Sequence, residues 1–192
     1  RDAEKALRGV AGRRVVVVDA RPGFDGDIER IVVQLALKTH EAAVVLVAPH
    51  EEPARARVRS LCERHGVDAY LASGPDAFQN AIVAADLFVG APSWDELLAA
   101  ALCRVPVSLL QTSGGELAQA LRKDRVVDDV AGVLQLAAAL DRKLGDAGGL
   151  EAKGIALREA LFGADKEMLD ALGALEPLPQ PSSSGWEPVG PH

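Results

Sequence analysis

Arg14-Val15-Val16-Val17-Val18-Asp19 is the stretch that decides the fold. Four consecutive valines leave no side of the chain for water, so the run reads as a strand covered on both faces, as in a parallel sheet flanked by helices. The segment 20–26 that follows is broken by Pro22, Gly23 and Gly26 and reads as a loop. From Asp27 to about Thr39, Ile28, Ile31, Val32 and Leu35 fall on one face of a helix, with Asp27 placed to cap it. Outward from there the same unit recurs. Strands are expected at 43–48, 67–72, 87–89 and 105–110, with a short sixth at 125–127. The intervening helices are expected at 51–65, 76–84, 93–103 and 114–121. Val58, Leu61 and Cys62 form the inner face of the first of these, and Gly66 ends it.

Strands alternating with helices at this spacing specify βαβ units, and right-handed crossovers put helices on both faces of the sheet. The fold class expected is therefore α/β: a Rossmann-like parallel sheet of five or six strands with helices on both faces and extra C-terminal helices. Those extra helices are read at 130–144 and 151–175, around a Gly-rich link at 145–149. Val133, Leu134, Ala137 and Leu140, then Leu157, Leu161, Met168, Leu169 and Leu172, follow helical spacing. The chain divides into a lead-in with a short helical stretch (1–12), one domain (13–175) and a Pro/Ser-rich tail (176–192) expected to be extended or disordered. Trp186 stands out in that tail. It either docks on the domain or a partner, or it is an unstructured residue.

Composition narrows the function. Of 192 residues, 48% are apolar and 26% charged, enough for one well-packed domain. Aromatics are only 4%, so Val, Leu and Ala must fill the interior. A net charge of −7 argues against nucleic acid and against an anionic membrane surface as partner. No apolar run approaches the ~20 residues of a bilayer span. Cys62 and Cys103 have neither disulfide nor zinc spacing, so buried free thiols in a cytoplasmic protein are expected. The chain does not begin with Met and reads as an excised piece.

The run Ala85-Asp86-Leu87-Phe88-Val89-Gly90-Ala91-Pro92-Ser93-Trp94-Asp95-Glu96-Leu97-Leu98-Ala99-Ala100-Ala101-Leu102-Cys103-Arg104-Val105-Pro106-Val107 resembles the C-terminal, donor-binding domain of GT-B-fold glycosyltransferases. In those enzymes an "ADLFVG"-type strand ends in a small-residue turn. A Leu/Ala-rich helix and a "GVPV"-type strand start follow. Heptosyltransferases are most similar across Leu98 to Leu102, and the donor half of lipid-linked GlcNAc transferases is similar too. The segment 110–121 resembles the polar turn and short helix that come next. The likeness covers about Arg14 to Leu175.

The resemblance implies a UDP- or ADP-sugar ligand, no resident cofactor or metal, and binding at strand ends, where helix N-termini offer N–H groups to phosphate. Three loops are candidates. The first contains Gly23 and Gly26, but Asp19, Asp25 and Asp27 crowd it with charge that repels a diphosphate unless a divalent cation intervenes. The second supplies Gly90, Ser93, Trp94, Asp95 and Glu96. The Asp, Gly and His of the heptosyltransferase pattern correspond to Pro92, Trp94 and Leu97 here. The ribose-holding Glu of other GT-B families, seven residues before the strand-start Pro, corresponds to Ala99. Asp95 and Glu96 could substitute, yet Ser93 with Glu96 is also a capping box. Trp94 suits either stacking on a base or covering the sheet edge. The third loop offers Ser113, Gly114 and Gly115 as a phosphate cradle or a plain tight turn.

No catalytic constellation stands out. His40 and His65 end helices, His192 lies in the tail, and only His50 follows a strand toward the expected crevice. A preserved fold with substituted site positions predicts a non-catalytic binding or protein-interaction module with a protein partner or a homodimer. The alternative is the donor half of an active glycosyltransferase whose acceptor domain is absent. A receiver-like signalling domain fits less well: the third strand ends Leu71-Ala72-Ser73 without a phosphorylatable Asp, and no Lys follows the fifth.

Overall fold

The valine run becomes β1 (Val15–Asp19), every residue of it buried. In the computed structural model, which describes residues 1–21, 28–49, 51–72, 74, 76–110, 122–123, 126–130, 132–163 and 186–190, β1 lies between β2 (Ala43–Val47) and β4 (Leu87–Gly90), parallel to both. β3 (Ala69–Ala72) extends the sheet beyond β2, and β5 (Val107–Leu110) and β6 (Asp128–Val130) extend it beyond β4, all parallel. A seventh strand, β7 (Trp186–Val189), pairs antiparallel with β3, so the order is β6-β5-β4-β1-β2-β3-β7.

Two apolar layers explain why the valines need no polar face. Val16 and Val18 pack toward α2 (Ile28–Leu37), α3 (Glu52–His65) and α6 (Leu136–Gly145). Val15 and Val17 pack toward α4 (Ala77–Ile82), α5 (Trp94–Leu102) and α7 (Ala147–Phe162). Each fully buried Val contributes about 1.5–3 kcal/mol relative to exposure, so the centre of the sheet carries much of the stability. The lead-in forms α1 (Asp2–Leu7), tied down by the buried Lys5, whose ammonium lies 2.5 Å from Asp86; the same carboxylate accepts the Val15 N–H at 2.8 Å.

Several boundaries differ from the sequence reading. Among the described residues the parallel part of the sheet has six strands, as expected, and β7 adds a seventh, antiparallel one. β6 begins at Asp128, not at 125–127; Val126 and Val127 are buried ahead of it and serve the core without strand pairing. Residues 133–135 form a 3-10 turn before α6 and leave Leu134 on the surface, because three residues per turn rotate it off the apolar stripe. α7 starts at Ala147 and includes Gly148 and Gly149, which were read as a link; Asp146 caps it by accepting the Gly149 N–H at 2.9 Å. His40 lies beyond the end of α2. Part of the tail is an ordered strand, and Trp186 docks.

Arg104 stands where the "GVPV"-type pattern has Gly, and its φ of 54° is in the left-handed region that Gly tolerates more easily. The Arg1 guanidinium supports this turn by donating to the Cys103 and Arg104 carbonyls at 2.8 and 3.2 Å. α7 crosses it at Gly154, where a Cβ would stand 2.1 Å from the Arg104 carbonyl oxygen.

Candidate functional site

The chain runs outward from β1 through β2 to β3, then returns to β4 and runs the other way to β6. Connections therefore leave the carboxyl ends of β1 and β4 in opposite directions. A doubly wound sheet opens its ligand crevice at that junction. The register puts Asp19, the last residue of β1, level with Gly90, the last of β4.

Gly90 and Asp19 share one space. A Cβ on Gly90 would stand 2.5 Å from the Asp19 Cβ and 2.8 Å from the Phe88 ring, so glycine is needed here for packing. After Gly90 the chain turns through Ala91 and Pro92 to Ser93, the N-cap of α5. The expected capping box is present. The Glu96 N–H donates to Ser93 Oγ at 3.4 Å and the Ser93 N–H donates to Glu96 Oε2 at 2.8 Å.

Glu96 has a second partner that sequence reasoning missed. Arg21, two residues past β1, reaches across the junction. Its Nε donates to Asp19 Oδ1 at 2.8 Å, and one terminal nitrogen donates to Asp19 Oδ2 at 2.8 Å and to Glu96 Oε2 at 3.1 Å. The other terminal nitrogen donates to Glu96 Oε1. Four of the five guanidinium N–H donors are thus engaged. The Arg21 backbone N–H also donates to Asp19 Oδ1, at 3.1 Å.

The charges reinforce the lock. The Asp19 hydrogen bonds raise the Arg21 pKa further above its already high ordinary value; burial opposes the rise and Glu96 adds to it. Burial pushes the Glu96 carboxyl up, but the Arg21 hydrogen bond, the Ser93 backbone bond and the Arg21 charge outweigh it and hold the pKa below the ordinary value. Among the described residues this cluster sets one cation between two carboxylates. The signal for Arg21 was present in the sequence: a buried carboxylate at the end of a two-sided apolar strand needs a nearby cation.

The other candidates divide clearly. Trp94, half-exposed, and Asp95 stand on the outer first turn of α5 beside Ser93. Ala99, within α5, is partly buried against the core. Gly23, Gly26, Ser113, Gly114 and Gly115 lie outside the described residues, as do Asp25, Asp27 and His50. Elsewhere, a cavity of about 330 Å³ is lined by Asp128, Lys143, Asp146 and Lys153. It lies on the outer strand β6, not at the junction. Its two lysines are both paired with Asp128, whose carboxyl is pushed up by burial but held low by those two partners. Among the described residues no group of His, Cys, Asp and Glu could hold a metal ion.

No protein-family model matches the sequence, and no curated protein matches it. Solved structures do. The C-terminal CMP-Kdo binding domain of WaaA from Acinetobacter baumannii is similar at a TM-score of 0.67 and 12% identity, over 83% of this chain and 94% of that one. The C-terminal domain of LpcC, a group 1 family glycosyl transferase from Francisella tularensis, is similar at 0.63 and 14%, over 84% and 90%. The fold is that of a GT-B C-terminal domain. WaaG, a glycosyltransferase involved in lipopolysaccharide biosynthesis, is similar at 0.64 and 19%, over 88% of this chain. The GT-B-like chain spans only 48% of WaaG.

Proposed function

We propose that this GT-B-like domain is a non-catalytic binding and interaction module of a larger protein, working with a protein partner or a second copy of itself, and that its β1–β4 junction holds no nucleotide sugar. The observation that carries this is Arg21. A cation at the mouth of the crevice is what a diphosphate would need, yet four of its five guanidinium donors are spent on Asp19 and Glu96, two carboxylates to one cation among the described residues. A cytoplasmic setting fits the thiols: burial pushes Cys62 up to about 11 and raises Cys103, so both are poor nucleophiles. Among the described residues no helix is long and apolar enough to cross a membrane.

Calorimetric titration with UDP-, ADP- and CMP-sugars tests the reading. The expected result is no saturable heat, and micromolar binding of any of them would sink it.

A second reading is favoured by the extent of the structural match. A chain that spans 94% of a CMP-Kdo binding domain and about half of WaaG could be the donor half of an active two-domain transferase. Arg21 would then exchange its carboxylates for phosphate. On that reading Glu96→Gln tightens nucleotide-sugar binding in the same titration. On the first reading neither chain binds.

A further inference from the structure

The strand β7 is held on the outer edge of β3 by a different contact at each residue. It pairs antiparallel in the register Ala72↔Trp186, Leu71↔Glu187, Tyr70↔Pro188 and Ala69↔Val189. Trp186 lies on one face, its ring centroid 5.7 Å from that of Tyr70, with the Arg8 guanidinium carbon 4.6 Å from the Trp186 ring centroid. Glu187 lies on the other face and accepts from Arg59 Nε at 3.1 Å and a terminal Arg59 nitrogen at 2.7 Å, with Arg55 at 3.5 Å. Val189 is buried in the core under α3. Gly190 follows with φ +115°, and a Cβ there would stand 2.2 Å from the Val67 carbonyl oxygen. Pro188 has no N–H to offer, so it fits mid-strand only where its nitrogen faces outward, and there it closes the edge to a further strand.

These contacts, rather than the covalent connection, select the strand. Twenty-three residues separate Phe162 from Trp186. At up to about 3.3 Å per residue, such a length lets β7 lie almost anywhere on the domain. The fit also leaves one defect: among the described residues the Trp186 indole nitrogen is buried without a hydrogen-bond partner. That defect weakens the docked state.

We propose that the β3 edge is a peptide-binding site for an extended segment of the pattern Trp-Glu-Pro-Val-Gly, that residues 186–190 are its resident ligand, and that the same pattern presented by another chain displaces them. Backbone pairing supplies general affinity. The Tyr70–Arg8 slot, the Arg55–Arg59 pair, the Val189 pocket and the glycine-only approach to Val67 supply selectivity. The inference stands apart from the chemistry of the β1–β4 junction and holds with or without a nucleotide sugar there.

The test uses the full chain with its own strand ejected by Val189→Asp together with Gly190→Val, folding confirmed by circular dichroism. A fluorescent peptide of residues 184–191 is titrated by anisotropy. It is expected to bind this variant and to bind the wild-type chain about tenfold more weakly or worse, because the tethered strand competes at an effective concentration on the order of millimolar. Adding Arg59→Glu is expected to weaken binding several-fold at low salt, and a peptide with Arg in place of its Glu to recover it. Should the double variant misfold, Val189→Asp alone serves as the ejected chain, since Val189 is the residue of the strand buried in the core. The proposal is overturned if the peptide binds neither chain, binds both equally, or ignores Arg59→Glu.

Discussion

At the β1–β4 junction Arg21 lies between Asp19 and Glu96, whose side chains are 3% and 10% exposed. At the β3 edge Arg59 lies against Glu187, which is 43% exposed. Both are arginine–carboxylate clusters with short hydrogen bonds, and both join segments distant in the chain, so burial is the variable that separates them. The junction carboxylates cannot be rehydrated without opening the domain, and removing their cation strands two charges in a low dielectric. Glu187 can turn to water, so its pair is worth little and is screened by salt. The first cluster therefore locks the fold in one state. The second adds direction and selectivity to a strand whose apolar residues supply most of the holding.

The largest expected effect comes from breaking the lock. Arg21→Ala leaves Asp19 and Glu96 facing each other unpaired and is expected to destabilise the domain by about 3 kcal/mol. That is the low end for a buried pair, because Arg21 itself is about one-third exposed. Urea unfolding measures it, and a loss under 1 kcal/mol would mean that the junction rehydrates easily and resembles the β3 edge after all.

A smaller effect appears in pH dependence. The folded-state pKa of Glu96 lies below its ordinary value of 4.5. Its contribution is therefore complete above about pH 4.5 and is lost as pH falls through the folded pKa. Glu96→Gln should be less stable than wild type at pH 6, and the gap should narrow steadily toward pH 3. A gap that stays constant across that range would remove the ionised carboxylate from the account.

The smallest effect belongs to the edge. Glu187→Gln is expected to cost about 0.5 kcal/mol at low salt and close to nothing at 1 M salt. Thermal melts at the two ionic strengths would show it. A cost that survives high salt would place Glu187 with the buried cluster instead.

How far each region was legible in the sequence follows the same division. Elements stabilised by their own periodicity were readable: the β1 valines, the α2 stripe of Ile28, Ile31, Val32 and Leu35, the Gly66 stop and the Ser93–Glu96 capping box all depend on neighbours a few residues away. Gly90 at the end of β4 and Ser93, Trp94, Asp95 and Glu96 at the start of α5 were legible as a strand end and a helix start. The reason for Gly90 was not legible, because it lies in the side chain of Asp19, 71 residues earlier. Asp19 at the end of a buried strand called for a nearby cation, but the reach of Arg21 to Glu96, 75 residues on, was not legible.

Local patterning alone thus determined the α/β class, the parallel core and the inward faces of α2 and α3, because apolar spacing is a property of consecutive residues. Tertiary structure alone decided the strand order, the bridging of Asp19 and Glu96 by Arg21 and the docking of residues 186–189. Each of these brings together groups that are weak or costly on their own: a lone buried carboxylate, an unpaired sheet edge, a four-residue strand with a proline inside it. Only a partner from elsewhere in the chain turns them into structure.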